Sequence, residues 1–372
     1  MHKVLLLGAG KIGSAIATYL AKTGEYDVLA ADQDEAALDR LSVEAGVDTI
    51  RLDVTSADDL ARAMKGRHTA LSAVSFAANP RIAKAALDSG LSYFDLTEDV
   101  ETTRAVRAVS TRAKDGQIFM PQCGLAPGFV SIVAHDLAQR FDTLDEVRMR
   151  VGALPVFPTN EMKYNLTWST DGLINEYGNP CEAIHEGKLI DVLPLEGLEH
   201  FSLDGVDYEA FNTSGGVGTL AETLEGKCRT LNYKTIRYRG HRDLIAFLMN
   251  ELRMNHDRGT LKRILENAVP ITPQDVVLIF CTVTGQHEGR FTQLTDARKV
   301  YASDFMGMKS SAIQITTAAS LCAVVDLHVQ GKLPKKGFVK QEDVTLPDFL
   351  ANRFGQVYDV QHGAERVKAP AV

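Results

Sequence analysis

Several features that mark specialised classes of protein are missing from this 372-residue sequence. Its five cysteines lie far apart without a Cys-x-x-Cys pair, which argues against a disulfide framework and a structural zinc site. The net charge is −8 and no block of like charges is present, so we expect no nucleic-acid or anionic-membrane partner. No His/Asp cluster has the spacing of metal ligands, and no metal is expected.

Long hydrophobic segments are also scarce. The sequence Met1-His2-Lys3 leads directly into a short apolar run, without the features of a signal peptide. We find no run of about 18 apolar residues that would indicate a membrane span. These absences predict a cytoplasmic protein with reduced thiols.

Short apolar runs alternate with amphipathic segments through the first 120 residues. The predicted strands are 3–8, 27–31, 49–52, 70–74, 91–95 and 117–120, and the predicted helices between them are 14–22, 34–45, 56–65, 80–89 and 100–114. This alternation predicts an α/β fold, a Rossmann domain with a doubly wound parallel sheet.

The pattern changes after residue 125. Further strands are predicted at 148–154, 163–168, 188–193, 206–211, 232–238, 275–284 and 290–295, with helices at 170–177, 240–252 and 260–267. We interpret residues 125–311 as an α+β domain for substrate binding and dimerisation. A long apolar helix near 310–329 is expected to return to the first domain, which then comprises 1–124 plus about 312–372. The tail after about residue 362 is expected to fray.

A Gly-x-Gly-x-x-Gly motif joins the first strand to the first helix. Gly8 permits a tight turn, Gly10 allows the pyrophosphate of a dinucleotide to approach, and Gly13 allows helix and strand to pack closely. Lys11 and Ile12 would offer free N–H groups at the helix N-terminus. Asp32 ends the second strand, 22 positions after Gly10, where it can bind ribose hydroxyls and repel a 2′-phosphate. The motif therefore predicts dinucleotide binding, with NAD preferred over NADP.

Residues after the third and fourth strands are further candidates for cofactor contacts. They are Asp53, Val54, Ala73, Val74 and Ser75. A helix cap or an ordinary turn would explain the same residues.

The sequence Cys123-Gly124-Leu125-Ala126-Pro127-Gly128 follows the sixth strand. Ligands bind beyond the carboxyl ends of such strands, so Cys123 and Gly124 are candidate substrate contacts. No histidine or asparagine signature of a thiol enzyme accompanies the cysteine. We therefore interpret Cys123 as a substrate neighbour, with an inert buried cysteine as the alternative.

Together these motifs resemble the saccharopine dehydrogenase family, in particular its short members. The resemblance covers most of the chain and rests on Gly8–Gly13, Gly124–Gly128, Tyr164–Ser169 (Tyr-Asn-Leu-Thr-Trp-Ser), Leu173–Tyr177 and Thr235–His241. It implies an oxidoreductase of amino-acid metabolism, a homodimer, that passes a hydride from a lysine-derived amine to a nicotinamide cofactor, after which the imine is hydrolysed.

The resemblance also suggests roles for individual residues. Asp99 would lie near the substrate amine, and His241 would transfer protons near neutral pH. Arg237 would bind a substrate carboxylate. Trp168 would form a wall of the substrate pocket, and a loop would offer N–H groups to a carboxylate: Thr213, Ser214 and Gly215. Lys163 and Glu176 are further candidates for the base. A capping, packing or surface role is the alternative for each.

One position departs from the family pattern. Relatives often carry an arginine just after the Trp-Ser pair, whereas this chain has Asp171. The change should weaken the binding of an acidic arm and could favour a free ammonium group. Oxidation of saccharopine to release glutamate is the leading hypothesis, and L-lysine 6-dehydrogenation is the alternative. A carboxynorspermidine-type polyamine dehydrogenase and a non-catalytic NAD-binding protein also remain open.

Overall fold

In a computed structural model, residues 1–359 are described, and the predicted frayed tail after residue 362 lies outside them. The chain divides into two units. Unit 1 comprises residues 1–129, 304–310 and 314–359, and unit 2 comprises the described residues 130–303 and 311–313.

Strands and helices alternate through the first part of unit 1, as the sequence predicts. They are β1 (His2–Leu7), α1 (Lys11–Lys22), β2 (Tyr26–Asp32), α2 (Glu35–Ala45), β3 (Asp48–Arg51), α3 (Ala57–Met64), β4 (Thr69–Ser72), α4 (Asn79–Ser89), β5 (Ser92–Asp95), α5 (Val100–Ser110) and β6 (Ile118–Met120). The side chains of Val4 to Leu7 are fully buried, as expected for a central parallel strand covered on both faces.

The middle of the chain, mostly unit 2, is built largely from strands. Its elements are α6 (Phe129–Ala138), β7 (Thr143–Pro155), α7 (Thr170–Gly178), β8 (Cys181–His185), β9 (Lys188–Val192), β10 (Glu199–Leu203), β11 (Val206–Asn212), α8 (Leu220–Leu224), β12 (Thr230–Tyr238), α9 (His241–Ala246), α10 (Arg258–Ala268), β13 (Asp275–His287), β14 (Arg290–Tyr301), β15 (Ser303–Phe305) and β16 (Met308–Ser310). A π-helical turn, Phe247–Glu251, follows α9.

The remaining segment carries α11 (Ala312–Val329), β17 (Gly337–Phe338) and α12 (Leu346–Ala351). Most of α11 and all that follows belongs to unit 1. By length and composition, α11 is apolar enough to cross a membrane, but 72% of its apolar window is buried within the protein. This burial is typical of a core helix, which is hydrophobic all round because it is enclosed.

The sheet of unit 1 has seven strands in the order β17-β6-β5-β4-β1-β2-β3. All pairs are parallel, and β1 lies centrally with Leu6 opposite Ala30 on one side and Leu71 on the other. The chain order reverses on the two sides of β1, which confirms the predicted doubly wound fold. The carboxyl ends of β1, β2 and β4 therefore meet at one edge, where ligands of such sheets bind.

The main sheet of unit 2 has eight strands, six of them in the order β10-β11-β12-β7-β13-β14, with β8 and β9 branching from β12. The antiparallel pair of β7 and β13 forms its centre, and Leu154, Ile236 and Leu278 pack in one apolar cluster. The prediction of a strand at 163–168 was wrong, because this segment makes a single bridge, from Leu166 to Ile271. Strands β8 and β10 were not predicted from the sequence.

Candidate functional site

The glycine motif forms a closed turn between β1 and α1. Gly8 has a φ of 105°, and a Cβ atom there would lie 2.7 Å from the Ala73 carbonyl oxygen. A Cβ atom on Gly13 would lie 1.9 Å from the Gly8 carbonyl oxygen, so α1 can approach β1 this closely only with glycine. Gly10 differs, because a Cβ atom there would meet nothing within 4 Å. The space beside Gly10 is therefore open to a ligand.

The helix that begins after Gly10 presents its N-terminus to this space. Lys11 is exposed and Ile12 is half-buried. The first N–H groups of any α-helix lack intrahelical partners. Because no side chain caps α1 either, these groups can bind a phosphate. This arrangement fits the pyrophosphate of a dinucleotide.

Asp32 connects the glycine turn to the end of β2. Its Oδ2 accepts a hydrogen bond from the Ala9 N–H (2.7 Å), and its Oδ1 accepts one from the Asp34 N–H (3.0 Å). Asp34 in turn caps α2 by accepting from Ala36 and Ala37. Two carboxylates thus lie at the strand end where the ribose of a bound dinucleotide is expected.

The other predicted cofactor residues occupy loops at the same edge of the sheet. Asp53 is exposed and accepts a hydrogen bond from the Thr55 N–H (2.8 Å), which lowers the pKa of its carboxyl. Val54 is half-buried. Beyond β4, Ala73 and Val74 are half-buried and Ser75 is exposed. The structure thus places Val54, Ala73, Val74 and Ser75 in loops after β3 and β4, and it gives Asp53 a turn-forming hydrogen bond.

Three acidic residues cluster at the end of β5 and in the loop that follows it. Asp95 is fully buried, and this burial raises its pKa to about 6. Glu98 is half-buried, and burial together with the negative charges of Asp99 and Asp95 raises its pKa to about 7. Asp99 caps α5 by accepting from the Thr102 N–H (2.7 Å). Asp99 was predicted from the sequence and Glu98 was not, although the Glu98 carboxyl is better matched to proton transfer near neutral pH.

The segment from Cys123 to Gly128 folds back on itself. A Cβ atom on Gly128 would lie 2.0 Å from the Gly124 carbonyl oxygen, so this contact requires glycine. Cys123 is fully buried, with its Sγ donating to the Met120 carbonyl (3.0 Å) and accepting from Gln341 (3.4 Å). Burial raises the pKa of the Cys123 thiol, which is therefore a neutral thiol and a poor nucleophile.

In unit 2, Arg237 lies in a buried aromatic environment. Arg237 is 2% exposed, and its guanidinium carbon lies 5.0 Å from the centre of the Tyr164 ring. Nε donates to the Tyr177 hydroxyl (2.9 Å), and Nη1 donates to Thr235 Oγ1 (2.7 Å) and the Ile236 carbonyl (2.8 Å). These acceptors are all neutral. A buried guanidinium without an ion-pair partner in its own hydrogen bonds is suited to an anionic ligand.

His241 lies beside Arg237 and is 1% exposed. Its two ring nitrogens contact the Tyr177 hydroxyl (3.0 Å) and the Met162 carbonyl (2.8 Å). Burial and the adjacent Arg237 lower its pKa to about 3. The imidazole is thus neutral near pH 7 with both nitrogens engaged, which argues against the predicted proton transfer by His241.

The other predicted substrate residues of unit 2 surround the same region. Trp168 is half-buried and packs against the cluster that contains Tyr164 and Tyr177. The Ser214 N–H donates to the Glu176 carbonyl (3.0 Å), which ties the loop from Thr213 to Gly215 to α7. Those three loop residues are buried, and the Thr213 hydroxyl has no hydrogen-bond partner within residues 1–359. The structure therefore leaves a buried donor available in this loop.

The position that departs from the family pattern is on the surface. Asp171 is exposed at the start of α7 and pairs with Lys262 of α10 (2.6 Å). Lys163, another candidate base, is exposed and donates to the Arg239 carbonyl (2.9 Å). The predicted effect of Asp171 on a substrate ammonium is therefore unsupported, because Lys262 already neutralises its charge. No group of three or more potential metal ligands occurs within the described chain.

Comparison with known proteins places this arrangement in a family. The family model described as "Saccharopine dehydrogenase NADP binding domain" matches residues 4–120. The model described as "Saccharopine dehydrogenase C-terminal domain" matches residues 124–357. Together they cover almost all of the described chain.

Similar proteins agree with this result. A rat protein, mitochondrial alpha-aminoadipic semialdehyde synthase, is 21% identical over 89% of this chain and 37% of its own length. Saccharopine dehydrogenase [NADP(+), L-glutamate-forming] from Schizosaccharomyces pombe is 21% identical over 67% of this chain and 58% of its own length. The chain thus spans little more than a third of the rat relative.

A solved structure shares the fold. It is apo saccharopine dehydrogenase (L-Glu forming) from Saccharomyces cerevisiae, with a TM-score of 0.76, 16% identity and 98% coverage of both chains. With a matching family model over each of its two parts, the chain belongs to the saccharopine dehydrogenase family.

Proposed function

We propose that this protein is a nicotinamide-dependent oxidoreductase that oxidises and cleaves a lysine-derived C–N bond, of the L-glutamate-forming saccharopine dehydrogenase type. The observation that carries the proposal is the buried Arg237, whose hydrogen bonds go only to neutral acceptors, in a chain that also contains an open glycine turn. The first feature suits a substrate with a carboxylate, and the second suits a dinucleotide. The names of the relatives from S. pombe and S. cerevisiae support the choice of saccharopine.

The cofactor would be held by residues of unit 1. The N-terminus of α1 would bind its pyrophosphate, and Asp32 would bind its ribose. When bound, the nicotinamide ring supplies the hydride acceptor for the substrate carbon.

NAD is our proposed cofactor, although the matched family model and the S. pombe relative are named for NADP and favour the phosphorylated form. The proposal rests on charge at the end of β2. Asp32 and Asp34 lie there, and Arg51, opposite Asp32 on β3, is paired with Glu35 (3.1 Å). Three carboxylates against one guanidinium should repel a 2′-phosphate.

The reaction requires a base, because hydride leaves a C–N carbon only when the nitrogen is unprotonated. Glu98 is our choice, with a pKa raised to about 7, and Asp99 beside it is the second candidate. Loss of the hydride and the N–H proton gives an imine. Water then adds to the imine carbon and the C–N bond breaks, which yields an aldehyde and an amine. The same carboxyl could carry the protons of both steps.

L-lysine 6-dehydrogenation is the second candidate. It is favoured by the lack of an arginine at position 171, since saccharopine has an additional dicarboxylic arm that lysine lacks. The homodimer and the cytoplasmic location stay predictions.

The test is an absorbance assay for reduced nicotinamide. Purified protein would be mixed with NAD and, in parallel, NADP, and with saccharopine or lysine at alkaline pH. Reduction with saccharopine, accompanied by release of glutamate, is the expected result. Reduction only with lysine would instead establish the second candidate. Cofactor binding without reduction by either amine would contradict both and favour a polyamine substrate or a non-catalytic protein.

A further inference from the structure

The proton positions around His241 follow from the nature of its partners. The Met162 carbonyl can only accept, so Nδ1 of His241 must carry the hydrogen across that 2.8 Å contact. Neutral histidine has one N–H, so Nε2 is an acceptor, and the Tyr177 hydroxyl donates to it over 3.0 Å. The Tyr177 oxygen then accepts from Arg237 Nε over 2.9 Å. All hydrogen bonds from Arg237 to Met162 therefore run in one direction.

This series of hydrogen bonds restricts the orientation of the Arg237 guanidinium. A guanidinium has five N–H donors in one plane. Three of these donors are used: Nε donates to Tyr177, and Nη1 donates to Thr235 and the Ile236 carbonyl, which fixes the orientation of the plane. The two N–H groups of Nη2 make no hydrogen bond within residues 1–359. These two N–H groups therefore point away from Tyr177, Thr235 and Ile236.

We infer that Tyr177 and His241 are positioning residues for substrate recognition: they hold Arg237 so that Nη2 is directed at a substrate carboxylate. This inference rests on the proposed function, in which Arg237 binds that carboxylate. Neither residue touches the substrate in this scheme. Tyr177 contributes an oxygen acceptor, and His241 contributes the lone pair that fixes the rotation of the Tyr177 hydroxyl.

The inference is tested by removing the shared hydroxyl. In Tyr177→Phe, Arg237 Nε loses its acceptor, and a lost hydrogen bond to a charged group weakens binding about 10- to 100-fold. We expect KM for the amino-acid substrate to rise by about this factor, with kcat changed much less. A substrate analogue in which the carboxylate bound by Arg237 is replaced by a primary amide lacks that negative charge. Its KM should differ little between Tyr177→Phe and the wild-type protein.

Tyr238→Phe is the matched control. The Tyr238 hydroxyl donates over 2.9 Å to the Pro155 carbonyl in the same sheet, so its removal costs one hydrogen bond, whereas removal of the Tyr177 hydroxyl costs two. A purely structural role for Tyr177 predicts that both substitutions lower stability but leave KM changed by the same small factor. That outcome, or an equal loss for the acid and its amide, would overturn the inference.

A second readout does not depend on turnover. The ¹⁵N chemical shifts of the His241 imidazole distinguish the two neutral tautomers, and His241→Gln identifies its signals. We expect hydrogen on Nδ1 in the wild-type protein and a changed Nε2 shift in Tyr177→Phe. Hydrogen on Nε2 would refute the inference even in an active enzyme. If no amine is oxidised but the expected tautomer is found, the proposed function fails and the hydrogen-bond direction stands.

Discussion

The Tyr26 hydroxyl donates a 2.6 Å hydrogen bond to Asp326, 300 positions later in the chain. Asp326 is 2% exposed and also accepts from Arg353 (2.7 Å), Asn352 (2.8 Å) and Gln330 (2.9 Å). One buried carboxylate thus joins β2, α11 and the segment after α12. Because Tyr26 and Asn352 are buried and Arg353 is half-buried, loss of the Asp326 carboxylate would leave several donors unpaired away from water.

We therefore predict that Asp326→Ala lowers the free energy of unfolding by about 3–5 kcal/mol. Asp115→Ala is the control, since Asp115 forms an exposed pair with Lys336 (2.9 Å) and should cost less than about 1 kcal/mol. Urea denaturation of both variants measures the difference. Equal effects would mean that the Asp326 network contributes little to stability.

Gly10 and Gly13 should respond differently to alanine. Gly13→Ala places a Cβ atom 1.9 Å from the Gly8 carbonyl oxygen and should destabilise unit 1. Gly10→Ala meets no protein atom within 4 Å, so the thermal unfolding temperature should stay close to that of the wild type. It should still weaken dinucleotide binding, because the new methyl group occupies the ligand's approach. Calorimetry and a binding titration separate the two effects, and normal binding by Gly10→Ala would contradict the proposed cofactor position.

Asp32 should control the choice between NAD and NADP. Asp32→Ser removes a negative charge and an acceptor, so NAD binding should weaken about 10-fold or more while NADP binding improves relative to it. Asp39→Asn removes a negative charge at an exposed position of α2, and it should leave the ratio of NAD to NADP affinity unchanged. Fluorescence titration with both reduced cofactors measures the ratio. Tighter NADP binding by the wild-type protein would refute the NAD preference directly.

Glu98 should make stability depend on pH. Its pKa is raised from 4.5 to about 7 in the folded protein, so the folded state binds the proton more tightly than the unfolded state. The resulting stabilisation is complete below the unfolded pKa and is lost as pH rises through about 7. Asp95, raised to about 6, contributes with the same sign.

Glu98→Gln should therefore reduce the decline in unfolding free energy between about pH 5 and about pH 8. Glu101→Gln, at an exposed position of α5, serves as the control and should not change the decline. If Glu98 is also the base, the glutamine variant should lose most of kcat with near-normal cofactor affinity. An unchanged pH dependence in Glu98→Gln would show that its carboxyl titrates normally.

Asp171 should have little influence on substrate choice. The exposed Asp171–Lys262 pair predicts that Asp171→Asn changes the preference between saccharopine and lysine by less than about 3-fold, since surface pairs contribute about 0–1 kcal/mol. Lys262→Gln should behave in the same way if only the pair matters. A large shift of kcat/KM with Asp171→Asn alone would restore this residue as a determinant of specificity.

The sequence predicted the Rossmann strands well because each is a short apolar run beside a helix of regular period. Predicted and observed bounds of β1 to β6 differ by only one or two residues. The two-residue β17 has no periodic signal, so only the fold could reveal it. In unit 2, the apolar residues of 163–168 suggested a strand, but Tyr164 and Leu166 are buried against helices rather than paired in a sheet.

The candidate site was predictable where a motif has a fixed backbone geometry, as in the glycine turn. It was less predictable where the environment decides the chemistry. Glu98 is one acidic residue among many until its burial beside Asp95 and Asp99 is known. His241 was predicted to transfer protons because histidine titrates near neutral pH, and its burial next to Arg237 lowers its pKa to about 3.

The placement of β17 at the open side of β6 also bears on biosynthesis. Gly337 and Phe338 pair with Ile118 and Phe119, so a ribosome must make most of the chain before the nucleotide-binding sheet has its last strand. Until then, β6 is an unprotected edge, the kind of surface that promotes aggregation of nascent chains. The described residues of unit 2, 130–303 and 311–313, must emerge within this interval. A premature stop codon between residues 314 and 337 would therefore damage unit 1, whose synthesis begins first, although the described residues of unit 2 would already be complete.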